Sequence, residues 1–263
     1  MGNLYKFGIL LAVLVGIPAS EGNGISITGI GPDLFPQQTV ITDCFATGYY
    51  CVYNTEIDGS QTITRDISNT RLTLKASFLF GGLGVAMQGT GKTAPDGDYI
   101  KYTGGGGCFV RIAGPDAGKN LRGRWVISPS ALRNRYARLG ITDFAGFGNL
   151  ALLSPDEANY SLVSSITGVM GQTLQPWRSI SVDPSLIPLG QTVTLLFKIN
   201  APENYKPAHT VFKAQDIGGM IKGKHIEIYL GEGRAAIDQW NRSGGNRYVD
   251  IYIGDALPLK AQD

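Results

Sequence analysis

Histidine and cysteine are scarce in this sequence: of 263 residues, two are histidine and three are cysteine. No Cys-x-x-Cys pair occurs, so the chain lacks the ligand spacing that is typical of a zinc site. No internal repeat occurs, and no segment apart from the glycine-rich stretches has low complexity. The sequence therefore predicts no bound metal and no cofactor, and it gives no sign of a repeat architecture.

The sequence also lacks a large excess of positive or negative charge. The formal net charge is +2, and the lysines and arginines are scattered along the chain. Because a nucleic-acid-binding protein normally carries a basic block or stripe, we expect no nucleic acid among the partners. The hydrophobic fraction of 43% is enough for a sizeable core in one or two domains. The 36 glycines between short apolar runs favour a mainly β fold over a helical bundle.

The apolar run Gly8–Ile17 near the N-terminus is too short to cross a bilayer comfortably. It follows Lys6 and precedes the small residues at 18–20, which is the order of a secretory signal peptide. We expect a signal peptide over 1–22 and a Gly- and Pro-rich linker or arm over 23–39. A buried N-terminal helix is the alternative. Since no cysteine follows the run, we expect an extracytoplasmic protein, periplasmic or secreted, with no stable membrane anchor after cleavage.

An exported chain with three cysteines allows one disulfide and one free thiol. On a strand over 42–53, Cys44 and Cys51 would face opposite sides and lie too far apart to bond. Either cysteine can pair with Cys108, and the sequence leaves that choice open.

Short runs rich in β-branched and aromatic residues, separated by Gly-rich turns, predict strands along most of the chain. These runs are 40–53, 71–79, 99–102, 108–112, 179–182, 192–199, 210–215, 225–230 and 247–253.

Between 113 and 175 the composition changes, and a helix is predicted over 129–139. Ser154, Pro155 and Glu157 have the spacing of a capping box with proline at the first helical position. They predict a second helix that runs to about Gly168.

Two predicted strands in the C-terminal third end in aspartate. Asp183 precedes a proline-braced turn, and Asp216 opens onto Gly218 and Gly219. Ends of elements on a rigid scaffold often carry functional side chains. Glycines at such a place leave the backbone open to a bulky ligand.

Residues 225–230 alternate between polar and aliphatic side chains. His225, Glu227 and Tyr229 share one face of the predicted strand, whereas Ile226, Ile228 and Leu230 share the other. The aliphatic face belongs in the core, so Glu227 is expected to face a cleft or solvent.

These C-terminal segments resemble the 3D (Asp-Asp-Asp) domain, which occurs in membrane-bound lytic transglycosylase A and in smaller bacterial wall-lytic proteins. The segments that carry the resemblance are 182–190, 216–223 and 225–229, with looser similarity at 47–50, 89–97 and 108–109. The resemblance implies a six-stranded double-psi β-barrel, hence a mainly β fold, with a glycan groove across it. The small helical insertion is predicted from the composition of 113–175 and has no counterpart in the resemblance. On this basis 40–112 is the first part of the barrel domain. The helical insertion is 113–175, the 3D part is 176–255, and 256–263 is a tail.

The resemblance also implies a function, namely cleavage of the MurNAc-GlcNAc β-1,4 bond of peptidoglycan strands with formation of a 1,6-anhydro product. The catalytic candidates are Glu227 as acid and base, Asp216 beside it, and Asp183 holding the network through turn amides. The family has aspartate where this chain has Glu227, whose carboxyl group lies one methylene further out. A displacement of about 1 Å can cost on the order of a hundredfold in rate. Activity is therefore retained, reduced or transferred to Asp216.

The expected substrate contacts are aromatic rings for sugar packing, open glycines and one cation: Tyr49, Tyr50, Gly218, Gly219, Lys222 and Tyr229. Since neighbouring strand residues face opposite sides, Tyr49 and Tyr50 are expected to divide between groove and core.

Simpler interpretations stay open for these residues. Asp183 and Asp216 fit ordinary turns, and Glu227 fits a solvent-facing strand position. The arginines from Arg122 to Arg138 are expected to form a solvated helix face, with contact to wall anions as the alternative. For the whole chain, the alternatives to a transglycosylase are a non-catalytic polysaccharide-binding barrel and a β-glucanase-like hydrolase.

Overall fold

The structure, a computed structural model, describes residues 39–197 and 211–254. The predicted signal peptide and tail lie outside these residues, as does the predicted linker apart from Thr39. The described part contains thirteen strands, four α-helices and a 3-10 helix at Pro155–Glu157. In chain order they are β1 (Thr39–Tyr53), β2 (Thr62–Ile67), β3 (Thr70–Lys75), α1 (Ala76–Phe80), α2 (Val85–Gln88), β4 (Thr90–Lys92), β5 (Tyr99–Gly104), β6 (Phe109–Arg111), α3 (Pro129–Ala137), β7 (Leu150–Leu152), β8 (Asn159–Val163), β9 (Ser179–Ser181), β10 (Thr192–Phe197), β11 (Val211–Asp216), β12 (His225–Glu232), α4 (Gly233–Arg242) and β13 (Arg247–Ile253).

Six strands, β1 and β9 to β13, form a closed ring of hydrogen-bonded pairs. Around the ring the order is β1, β12, β9, β11, β10 and β13, and β13 pairs again with β1. The β1–β12 and β9–β11 pairs are parallel, and the other pairs are antiparallel. The mainly β class is confirmed, whereas the double-psi path of these strands stays a prediction.

Alternation along the strands places one face of the ring in a common core. Ile180, Ile226, Ile228, Leu195 and Ile251 are buried there. The aliphatic face predicted for 225–230 is thus a core face, because Ile226, Ile228 and their neighbours have almost no exposed surface.

A second core cluster is built from residues 52–158. Its buried side chains include Phe78, Phe80, Val110 and Tyr136. Strands β2 to β8 and helices α1 to α3 surround it. Within residues 40–112, β1 joins the ring, and β2 to β6 pack around the second core cluster with residues of the predicted insertion. The division into domains stays a prediction.

The helix predicted from Ser154 to about Gly168 is wrong. Residues 155–157 make one 3-10 turn, and β8 then pairs with β5. The Ser154 side chain does not cap this turn, since its Oγ accepts a hydrogen bond from Arg135 at 2.7 Å. Strand pairing with β5 overrides the local capping signal.

The strand predicted over 71–79 is correct only as far as Lys75, because Ala76–Phe80 is helical. All five residues of this helix are buried, and a wholly apolar run does not distinguish a strand from a helix by periodicity.

The disulfide expected at Cys108 is absent. Cys108 is exposed with a free thiol, and Cys51 is a free thiol in the interior. The buried Cys44 Sγ donates to the Ile41 carbonyl at 3.6 Å. Within 39–197 and 211–254, none of the helices has the length and hydropathy needed to cross a membrane.

Candidate functional site

A cavity of about 890 Å³ lies where the ring strands meet the second core cluster. Its volume falls within the range of ligand-binding clefts. From the ring strands it receives Tyr49, Ser181, Asp216, Glu227 and Tyr229. This space is called the cavity below.

Strand β9 brings the two candidate carboxylates together. Ser181 pairs with Asp216 of β11 on one side and with Glu227 of β12 on the other. Because adjacent strands lie about 4.8 Å apart, the two acidic residues flank Ser181 at two strand spacings, about 10 Å between backbones. Both side chains line the cavity.

Asp216 is turned toward the cavity by a bulge. The register between β11 and β9 shifts between Ala214 and Asp216, and such a shift re-aims the following side chain. The carboxylate accepts from the Val169 amide at 3.2 Å, and from the Ser181 and Tyr49 hydroxyls at 3.4 Å each. Burial raises the pKa of Asp216, and these donors counteract only part of the rise.

Glu227 has fewer donors. Burial, and then the negative charge of Asp216, raise the pKa of Glu227 to about 7, and a hydrogen bond from Thr47 opposes the shift. Thr47 lies directly beside Glu227 in the parallel β1–β12 pair. A carboxyl group with this pKa is present in both protonation states near neutral pH, as a general acid and base requires.

His225 lies on the same strand face and also lines the cavity. Its Nε2 is 3.0 Å from the Thr47 hydroxyl oxygen, and burial lowers its pKa. The Thr47 hydroxyl also donates to the Ile226 carbonyl at 3.4 Å, so its one proton is shared between this carbonyl and Glu227.

The predicted tyrosines all line the cavity. Tyr49 and Tyr229 are buried and pack with ring centroids 5.3 Å apart. Tyr50 also reaches the cavity, although alternation predicts that it faces away from Tyr49. The reason is a register shift between Tyr49 and Cys51, which breaks the alternation of β1 at this point.

Gly218 and Gly219 line the cavity, but Asp183 and Lys222 are not among its lining residues. A Cβ atom at Gly219 would meet nothing within 4 Å, so the backbone there is open to a ligand. Asp183 Oδ2 accepts from the Gly223 amide at 2.8 Å, and Oδ1 accepts from the Ser185 amide at 3.0 Å. These bonds hold the pKa of Asp183 down, to about 2.

The sequence interpretation gave no role to several residues of the site. Thr47, Ser181 and the Val169 amide contact the carboxylates. Ser181 could have been found from the sequence, because it lies two residues before Asp183 in a predicted strand. Val169 could not, since only the fold brings it to Asp216.

Three cations of the cavity have no role in the sequence-based prediction of the site. Lys101, Arg122 and Arg124 line the cavity. The helix face predicted for the two arginines is wrong, because α3 begins only at Pro129 and both arginines precede it in a hairpin.

Comparison with known proteins gives a family match for the ring-forming region. Residues 178–254 match the model of the 3D domain, so the resemblance noted in the C-terminal motifs is confirmed there. No curated protein matches the chain in sequence.

Solved structures similar to this chain include three bacterial proteins. One is Escherichia coli MltA with bound chitohexaose, at 20% identity over 81% of this chain and 71% of that one, with a TM-score of 0.46. The lytic transglycosylase LtgG of Burkholderia pseudomallei has 22% identity over 81% and 72% of the two chains, with a TM-score of 0.42. A membrane-bound lytic murein transglycosylase from Agrobacterium tumefaciens has 17% identity over 80% and 73%, with a TM-score of 0.44.

Proposed function

We propose that this protein is a peptidoglycan lytic transglycosylase that cleaves the MurNAc-GlcNAc β-1,4 bond and forms a 1,6-anhydro end. The observation that carries the proposal is Glu227, a half-buried carboxyl group with its pKa raised to about 7 by burial and by Asp216 in a shared cavity. The 3D-domain match over 178–254 supports it, because that region contains both carboxylates. We further infer a double-psi path for the ring strands and an extracytoplasmic location.

The reaction needs a single carboxyl group that acts twice. Protonated Glu227 gives its proton to the leaving O4 of GlcNAc as the C1–O4 bond breaks. The 6-hydroxyl oxygen of the same MurNAc then closes onto C1, and its proton returns to Glu227. No water is consumed, and Glu227 ends in the state in which it began.

Glu227 is the acid and Asp216 the supporting anion because their hydrogen bonds differ. Asp216 accepts from the Val169 amide, Ser181 and Tyr49, and these donors favour its charged form. Glu227 has the Thr47 hydroxyl as its donor. The charge of Asp216 therefore holds the proton on Glu227 and also stabilises positive charge that develops at C1.

Digestion of purified sacculi, followed by mass spectrometry of the soluble products, tests the proposal. We expect muropeptides with 1,6-anhydro ends. Binding to sacculi without products would instead indicate a non-catalytic module. New reducing ends from β-glucan, with none from sacculi, would indicate a hydrolase.

Glu227→Gln tests the acid assignment. It keeps the size of the side chain but removes the proton donor, so we expect a loss of at least a hundredfold in the rate of anhydro-muropeptide release. Glu157→Gln is the matched control, because Glu157 is exposed and lies outside the cavity lining. Unchanged release by Glu227→Gln would eliminate Glu227 as the acid.

A further inference from the structure

The acidic and cationic residues that line the cavity come from different parts of the fold. Both acidic residues, Asp216 and Glu227, come from ring strands. The cations Lys101, Arg122 and Arg124 come from elements outside the ring, with Lys101 on β5 and the arginines in the segment between β6 and α3. A ligand that fills the cavity therefore meets acidic side chains from the ring strands and cationic side chains from elements outside the ring.

The arginines lie in a hairpin turn. The bridge Lys119↔Trp125 closes this hairpin, and the bridge Val110↔Asn120 joins it to the second core cluster. The Asn120 side-chain oxygen accepts from the backbone amides of both Arg122 and Arg124, at 3.0 Å each. The Asn120 side chain thus holds the backbone of both arginines in this turn.

None of the three cations has a carboxylate partner among the residues that the structure describes. Lys119 of the same hairpin is different, since its Nζ lies 2.8 Å from Asp116 Oδ1. Like charges gathered at a cavity and left without counter-charges attract an anionic ligand.

We propose that Lys101, Arg122 and Arg124 bind carboxylate groups of the glycan substrate, and that they make the protein select carboxylate-bearing strands over neutral N-acetylglucosamine chains. This inference rests on the proposed function. The neutral sugar backbone lies beside the ring strands, where a carboxylate would be repelled by Asp216. The carboxylates of the stem peptide, or the free lactyl carboxylate of a peptide-free strand, lie beside the three cations.

Calorimetric binding with the Glu227→Gln protein tests the inference without turnover. Three probes are compared: soluble peptide-bearing glycan strands, peptide-free strands with free lactyl carboxylates, and a neutral N-acetylglucosamine hexamer. We expect both carboxylate-bearing probes, or one of them, to bind more tightly than the neutral hexamer. The probe that is preferred identifies the source of the carboxylate.

Removal of the cations is the second part of the test. Adding Arg122→Gln or Arg124→Gln is expected to weaken the binding of carboxylate-bearing probes roughly two- to fivefold each. Both substitutions together are expected to weaken it about tenfold, and binding of the neutral hexamer is expected to stay unchanged. Arg138→Gln is the control, since Arg138 is exposed and does not line the cavity. Thermal unfolding checks that each variant is folded.

Salt dependence gives a measurement that needs no cation variant. Binding of carboxylate-bearing probes is expected to weaken between 50 and 500 mM salt, because exposed charges are screened. Equal, salt-independent binding of all probes would overturn the inference even if sacculi are cleaved. If binding is charge-selective but the unmodified protein cleaves no sacculi, the inference on carboxylate binding is supported and the transglycosylase proposal is overturned.

Discussion

At the scale of the residue, the chemistry of the cavity depends on how differently two neighbouring carboxyl groups are solvated. Asp216 accepts hydrogen bonds from several donors, whereas Glu227 is half-buried beside a negative charge with one hydroxyl donor. Identical groups in water would titrate together. Here their different surroundings give the two groups different pKa values. This difference allows one group to act as an acid while the other stays charged.

The pH profile of muropeptide release follows from the pKa of Glu227. The acid must be protonated, so the turnover rate is expected to fall as the pH rises through about 7. The Asp216→Asn variant lacks the negative charge that raises the pKa of Glu227. Its turnover rate is therefore expected to begin to fall at a lower pH. Initial rates measured from pH 4.5 to 9 check both outcomes. An unchanged midpoint in Asp216→Asn would show that the two groups do not interact.

At the scale of the element, the loop between β11 and β12 is anchored by a turn that follows β9. Asp183 accepts from the Gly223 amide of this loop and from Ser185 in its own turn. The loop also contains Gly218 and Gly219, which line the cavity. Asp183 thus acts on the site indirectly, by holding the backbone of this loop in place. This agrees with its absence from the cavity lining.

Asp183→Ala is expected to lower the melting temperature by a few degrees at pH 7. Because the folded-state pKa of Asp183 is depressed to about 2, its contribution is present above its ordinary pKa and is lost as the pH falls through 2. The difference from the unmodified protein should therefore shrink toward pH 2. Asp156→Ala, at another exposed turn position, is the control in thermal unfolding followed by circular dichroism.

The elements that the sequence predicts well are those with clear alternation, such as 225–230 and 247–253. Helix α4 was missed although Ala236, Ile237 and Trp240 have helical spacing, and Ala236 and Trp240 are buried against the ring. The helix at Ala76–Phe80 had no such signal, because every residue in it is buried.

At the scale of the whole molecule, Glu232 links the ring strands to the second core cluster. This residue ends β12, and its carboxylate accepts from Tyr99 of β5 and from Tyr53 at 3.0 Å, and it pairs with Lys92 of β4 at 3.3 Å. Burial opposes ionisation of Glu232, but these donors lower its pKa below the ordinary value. The network spans the same junction that forms the cavity.

Glu232→Gln is expected to lower the free energy of unfolding by about 1–2 kcal/mol at pH 7, because an amide removes the ion pair and leaves a tyrosine without an acceptor. Since the pKa of Glu232 is lowered, this contribution is lost on acidification, and the difference should be smaller at pH 4. Urea unfolding at the two pH values measures it, with Glu157→Gln as control. Equal stability of both proteins at pH 7 would show that the network contributes nothing.

The β class, the core face of β12, the two carboxylates and the 3D-type motif can be predicted from the chain, because alternation and turn composition are local properties. The fold is needed to place Ser181 between Asp216 and Glu227, and to bring Lys101, Arg122 and Arg124 into the lining of the same cavity. Those relations join elements far apart in the chain. The pKa of Glu227 also depends on burial by such distant neighbours, so no local pattern predicts it.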